Sequence, residues 1–108
     1  MGTKWVVQDR YGNKIYLTNE RWKHIIENHP EMENYSHHLE ETIRTGRRRQ
    51  EPLDPRKYRY IKYFEDLIDD NNHIAAIAMF KLEVDEKGNT VENNFILTAY
   101  QKYIRQKR

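Results

Sequence analysis

Cysteine is absent from this 108-residue chain, which removes disulfide frameworks and thiolate metal sites and fits a reducing compartment. Glycine and proline are scarce, at four and three residues, and there is no glycine-rich phosphate loop or GxSxG elbow. The five histidines contain no HxxxH pair, so a metal site is not expected. No carboxylate pair stands out from the 17 Asp and Glu residues. No window approaches the roughly 20 apolar residues needed to span a bilayer. The N-terminus has no basic segment followed by an apolar run, and no signal peptide is expected. One domain over residues 1–108, with one modest core and a cytoplasmic location, is the expectation.

What is present is charge, and it is segregated. The formal net charge is only +2. Within it lies a strongly basic block formed by Arg44, Arg47, Arg48, Arg49, Arg56, Lys57, Arg59 and Lys62. An acidic stretch follows, from Glu65 through Asp70 and on to Glu92, and the chain closes on Lys102, Arg105, Lys107 and Arg108. Two basic blocks that meet in the fold would present a polyanion-facing surface. The same runs also suit a solvated, charge-mixed exterior.

The pattern along the chain predicts a hairpin, two helices and a run of strands. "KWVVQDRYGNKIYL" has strand formers on either side of a "YGN" turn. Thr18 is placed to cap a helix over 19–29, with Glu20 in its first turn. Trp22, Ile25, Ile26 and His29 share the packing face of that helix, while Arg21, His24 and Asn28 form a polar row. Pro30 ends it. A second helix is expected over about 35–45, stopped by Gly46. Then come a short edge strand in "RRRQEP", strands in "KYRYIKYF" and "HIAAIAMFKLEV", and a last strand in "NNFILTAY" with a basic tail over about 101–108. This order predicts an α+β fold in which the hairpin and both helices pack on one face of a roughly four-stranded antiparallel sheet, with the other face open.

Several residues can carry chemistry. Tyr58, Tyr60 and Lys62 point to one side of their strand, and Arg59, Ile61 and Tyr63 to the other. Rings interleaved with cations suit nucleic acid, where bases stack and phosphates are held; they equally suit an ordinary packed strand. His24, beside Arg21, can serve as a general acid or base, or make a plain hydrogen bond. His29 is read as structural, at a helix end with free carbonyls. His37 and His38 point to different sides of a helix, and His73 begins a strand. Thr98 and Tyr100 place a hydroxyl and a phenol on one strand face.

With these reactive groups and no cofactor motif, the chain fits metal-independent RNA cleavage. That reaction needs a base for the 2′-hydroxyl, an acid for the leaving 5′-oxygen and cations for the phosphorane. RNA supplies its own nucleophile.

"LTNERWKHIIENHPEM" together with "FILTAY" resembles a group of small bacterial and phage-associated domains, in which an "LTxERWxHIxxxHPE" helix is followed by a sheet ending in a "TAY"-like strand. That group is placed in the superfamily of barnase, EndoU, colicin-type and RelE-type nucleases. The resemblance runs from Ile15 to about Tyr103 and is tightest in the helix and the final strand. It implies an RNase-like α+β fold with RNA lying across the sheet, no cofactor, and a site built from Arg21, His24, Thr98 and Tyr100, with His29 matching the "HPE". It also implies a toxin role with a cognate antitoxin or immunity protein as partner. Strand alternation and the basic blocks add Arg59, Lys62, Arg47, Arg48, Arg49 and Lys102 as phosphate ligands, and Tyr58 and Tyr60 as stacking platforms. The rival reading is a non-catalytic module that grips nucleic acid or a protein on the same fold.

Overall fold

The computed structural model describes residues 2–105. Six strands, two helices and one 3-10 turn follow in the order β1 (Thr3–Gln8), β2 (Lys14–Thr18), α1 (Asn19–Asn28), the 3-10 turn Pro30–Met32, α2 (Ser36–Thr45), β3 (Arg47–Glu51), β4 (Asp54–Tyr63), β5 (His73–Val84) and β6 (Thr90–Lys102). The Thr18 side chain accepts the Arg21 backbone N–H at 3.0 Å, satisfying one of the free donors that begin a helix. Gly46 ends α2 by donating to the Thr42 carbonyl at 2.9 Å. A Cβ at Gly46 would collide with that same carbonyl and lie 2.8 Å from the Ile61 carbonyl, so glycine is needed where α2 turns directly into β3.

All six strands form a single sheet in the order β1-β2-β6-β5-β4-β3. The fold is therefore α+β, but the expected four antiparallel strands become six, and the sheet is mixed. The N-terminal hairpin does not lie over the sheet; it joins the sheet, through a parallel pairing of β2 with β6 at Tyr16 and Phe95. The remaining pairings are antiparallel. The basic segment expected to begin at about residue 101 is still strand at Lys102, while Lys107 and Arg108 lie outside the described residues. No helix among the described residues is long and apolar enough to cross a membrane.

Both helices cover one face. Ile25 of α1, Met32 of the 3-10 turn, and Leu39 and Ile43 of α2 join Ile15, Leu17, Tyr60, Ile74, Ala76, Ala78, Ile96 and Ala99 in the core. The loop between β4 and β5 is tied to α2, where His38 Nε2 lies 2.9 Å from Asp66 Oδ2 and the Tyr35 hydroxyl donates to the Asp66 carbonyl. Beyond Lys81 and Glu92 the β5–β6 hairpin runs on as an exposed two-stranded arm.

β6 contains an irregularity that decides which side chains reach which face. Ala78 pairs with Ile96 while Ile77 pairs with Thr98, so Leu97 is an extra residue, a β-bulge. Before the bulge, Asn94 and Ile96 are the buried positions; after it, Ala99 and Gln101 are. Thr98 and Tyr100 consequently share the helix-free face with their partners Ile77 and Ala75.

Candidate nucleic-acid interface

The helix-free face is built from alternate residues of β3 to β6. β3 contributes Arg47 and Arg49, opposite Ile61 and Arg59 of β4. β5 contributes His73, Ala75 and Ile77, opposite Lys102, Tyr100 and Thr98 of β6. His73 also pairs with Tyr63, whose ring meets it edge-on at 5.6 Å. Arg47 and Arg49 are exposed and have no carboxylate partner among the described residues. Arg59 pairs with Glu51 at 3.1 Å and remains 42% exposed. Depressions of about 380 and 390 Å³ run along this rim, the first lined by four arginines and Ile61, the second reaching Tyr63 and His73. A further one, of about 450 Å³, reaches Thr98 past Arg59.

Past Phe95 no strand among the described residues lies beside the edge of β6, and the "HPE" segment takes that place. The Gln101 backbone N–H donates to Glu31 Oε2 at 3.3 Å, and its side chain donates to the Glu31 carbonyl at 2.8 Å. Glu31 thus satisfies a strand edge as a neighbouring strand would. The same placement brings the His29 ring to 5.6 Å from the Tyr100 ring, with His29 Nδ1 3.7 Å from Glu31. The ring that faces Tyr100 is therefore His29, which the sequence reading took as structural. His24 and Arg21 are exposed on α1, and His24 Nδ1 lies 3.5 Å from Glu27, one turn along.

His73 was placed by the sequence only as a strand start; the fold gives it a defined environment. Asn72 exchanges two hydrogen bonds with Ile104, donating from Nδ2 to its carbonyl at 2.9 Å and accepting its N–H on Oδ1 at 2.8 Å. That fixes Oδ1 as the atom 2.7 Å from His73 Nδ1. An acceptor there assigns the ring proton to Nδ1 and leaves Nε2 bare, so the tautomer follows from the second shell. Burial and the nearby Lys102 ammonium push the imidazole below its ordinary range, so it stays neutral at pH 7. A bare nitrogen on a neutral ring is a proton acceptor. The diagonal neighbour of His73 across the strand pair is Tyr100, a spacing of about 7–8 Å between backbones.

Four expected ligands lie elsewhere. Tyr60 is fully buried, so it cannot stack on a base; Tyr58 packs against Phe80 at 4.9 Å beneath the same face. Alternation divides the strand correctly, but the pair Tyr58 and Tyr60 is the inward one: the Tyr60 hydroxyl meets Asp9 and Arg48, and the Tyr58 ring packs on Phe80 and the Arg48 guanidinium. Arg48 is inward as well. It donates to Asp9 Oδ2 at 2.9 Å, to Asn13 at 2.9 Å and to the Tyr60 hydroxyl at 3.3 Å. The Tyr60 hydroxyl in turn donates a short hydrogen bond to Asp9. Burial, reinforced by that carboxylate, pushes the phenol well above its ordinary range and keeps it a donor. Lys62 lies on the inward side too, with its ammonium 5.9 Å from the Phe64 ring. Among the described residues no cluster of three or more His, Asp or Glu is placed to hold a metal ion.

Compared with known proteins, the chain matches no family model, no curated protein and no solved structure.

Proposed function

We propose that this protein binds single-stranded RNA across the helix-free face and cleaves it without a metal ion, as a ribonuclease-like domain of the barnase–EndoU–colicin–RelE type. One observation carries the reading. Two histidines, a phenol, a threonine and an ammonium gather on β5, β6 and the "HPE" turn, beside a rim that includes Arg47 and Arg49, which have no carboxylate partner among the described residues. In this scheme Nε2 of neutral His73 takes the proton from the 2′-hydroxyl. The 2′-oxygen bonds to phosphorus and the bond to the 5′-oxygen breaks, leaving a 2′,3′-cyclic phosphate. His29 returns a proton to the departing 5′-oxygen, while Lys102 and Arg59 hold the phosphorane charge. Thr98 and Tyr100 position the phosphate. A toxin role, with an antitoxin or immunity protein that covers this face, is compatible with the exposed arginines.

The test is RNA cleavage by purified protein in EDTA, with the fragment ends read as cyclic phosphates. His73→Ala and His29→Ala are each expected to slow it by about 10²-fold or more. His24→Ala is expected to stay within a few-fold of wild type. Failure of wild type to cleave any RNA would end the catalytic reading. The non-catalytic rival draws on one observation: His24, the acid–base group expected from sequence, pairs with Glu27 on exposed helix surface, so the cations of the face are present without it. Salt-sensitive RNA affinity without cleavage would favour that rival.

A further inference from the structure

The turn between β1 and β2 meets the outer edge of β3, and the side chains there are not absorbed by the cleavage scheme. Arg10, Tyr11, Arg47 and Arg48 line a depression of about 400 Å³, within the roughly 300–1,000 Å³ range of small-ligand sites. The charges are unequal in their availability. Arg48 is spent on Asp9, whose side chain is wholly buried. Arg10 and Arg47 have no carboxylate partner among the described residues; Arg10 donates only to the Thr45 carbonyl, at 3.3 Å. The depression therefore keeps two unneutralised guanidiniums and no acid among its lining residues.

Tyr11 supplies the second element. Its ring lies on the Arg48 guanidinium, 4.3 Å from centroid to Cζ, and Tyr58 holds the other side of that guanidinium at 4.4 Å. Tyr11 nevertheless remains 46% exposed. A tyrosine clamped on one face and open to solvent on the other is a stacking platform with little entropy left to lose. The adjoining depression shares Arg10 and Arg47 and continues to Tyr63 and His73. An RNA strand with its scissile phosphate at His73 would meet this corner next.

We infer that the β1–β2 turn is a flanking-nucleotide subsite, in which Tyr11 stacks one base and Arg10 and Arg47 hold the adjoining phosphate of a single-stranded nucleic acid. The inference rests on the RNA-binding reading above and extends it to residues outside the cleavage centre.

The experiment uses a fluorescein-labelled 2′-O-methyl 12-mer of uridine, which lacks the nucleophile and stays intact, titrated by anisotropy at several salt concentrations. Tyr11→Ala is expected to weaken binding about tenfold, the scale of one lost base stack, and Tyr11→Phe to stay within twofold. Tyr11→Leu keeps apolar cover over Arg48 but has no aromatic face; it should bind as poorly as Tyr11→Ala while melting with wild type. Arg10→Gln and Arg47→Gln should each reduce the slope of log affinity against log salt by about 0.7. If wild type binds the 12-mer and Tyr11→Leu and Arg10→Gln bind it equally well, the subsite is wrong and the RNA reading stands. If wild type does not bind it, both fall.

Discussion

Arg47, Arg48 and Arg49 are identical side chains on consecutive residues, and the sheet gives them opposite fates. Arg48 turns under the sheet, where its side chain is 17% exposed and its guanidinium is bonded to buried Asp9 and enclosed by Tyr11 and Tyr58. Arg47 and Arg49 turn outward onto the helix-free face with no carboxylate among the described residues to neutralise them. The first joins the outer edge of the sheet to the turn of the N-terminal hairpin, two parts of the chain that lie at opposite ends of the strand order. The other two leave their charge available to something outside. A pleat of one residue separates a structural clasp from a binding rim, so composition alone assigns neither role.

Substitution can break this comparison, and the clasp should give the largest effect. Arg48→Ala leaves the Asp9 carboxylate buried without its counter-charge, and breaking such a pair costs about 3–5 kcal/mol. Chemical denaturation should show that loss for Arg48→Ala, whereas Arg47→Ala and Arg49→Ala should stay within about 0.5 kcal/mol of wild type. Equal effects at all three positions would show that the clasp does not bear on stability. Next comes Tyr60→Phe, which removes a buried donor to Asp9 and should cost about 1–3 kcal/mol. Tyr100→Phe, on the other face, is expected to leave the melting temperature unchanged and to show its effect in RNA cleavage alone.

A smaller effect concerns pH. The imidazole of His73 has its folded pKa pushed down, so between that value and the ordinary imidazole range the unfolded chain binds more protons than the folded one. Its contribution to stability is complete above the unfolded value and is lost as pH falls toward the folded value. The wild-type melting temperature should therefore drop more between pH 7 and pH 5 than that of His73→Gln. Parallel curves would contradict a desolvated, neutral His73. The cleavage rate, if His73 is the base, should persist on the acid side to a lower pH than an ordinary imidazole allows.

Much of the element order was legible because it depends on short-range pattern. The strand over His73–Val84 coincides with its apolar run, and Thr18 and Gly46 bound their helices as local chemistry dictates. All six strands were legible, but their union in one sheet was not, because the pairing of β2 with β6 depends on residues some 80 positions apart, Tyr16 and Phe95. Alternation in "KYRYIKYF" split the strand into two sides but carried no sign of which is inward; that is settled by Asp9, in a turn far upstream. His29 shows the same limit from another direction. Helical periodicity placed it on the packing face, but His29 is where α1 ends, and the turn that follows carries its ring past the edge of β6 to Tyr100. His73 gave no signal at all, since its tautomer depends on Asn72 and on Ile104 at the far end of the chain.

The bulge at Leu97 has a consequence for how β6 tolerates change. A strand is a binary register: each position is inside or outside by parity, and β6 changes parity once along its length. Its first half commits even-numbered residues to the core and its second half odd-numbered ones, so both Ile96 and Ala99 are inside. Were Leu97 kept but drawn into regular alternation, one parity would run throughout. Thr98 and Tyr100 would then turn under the helices, and Ala99 and Gln101 would be expelled. The outward placement of Thr98 and Tyr100 thus depends on the bulge absorbing one residue: a deletion at Leu97 itself would leave both facing outward, whereas a deletion between Thr98 and Tyr100 would put the two on opposite faces.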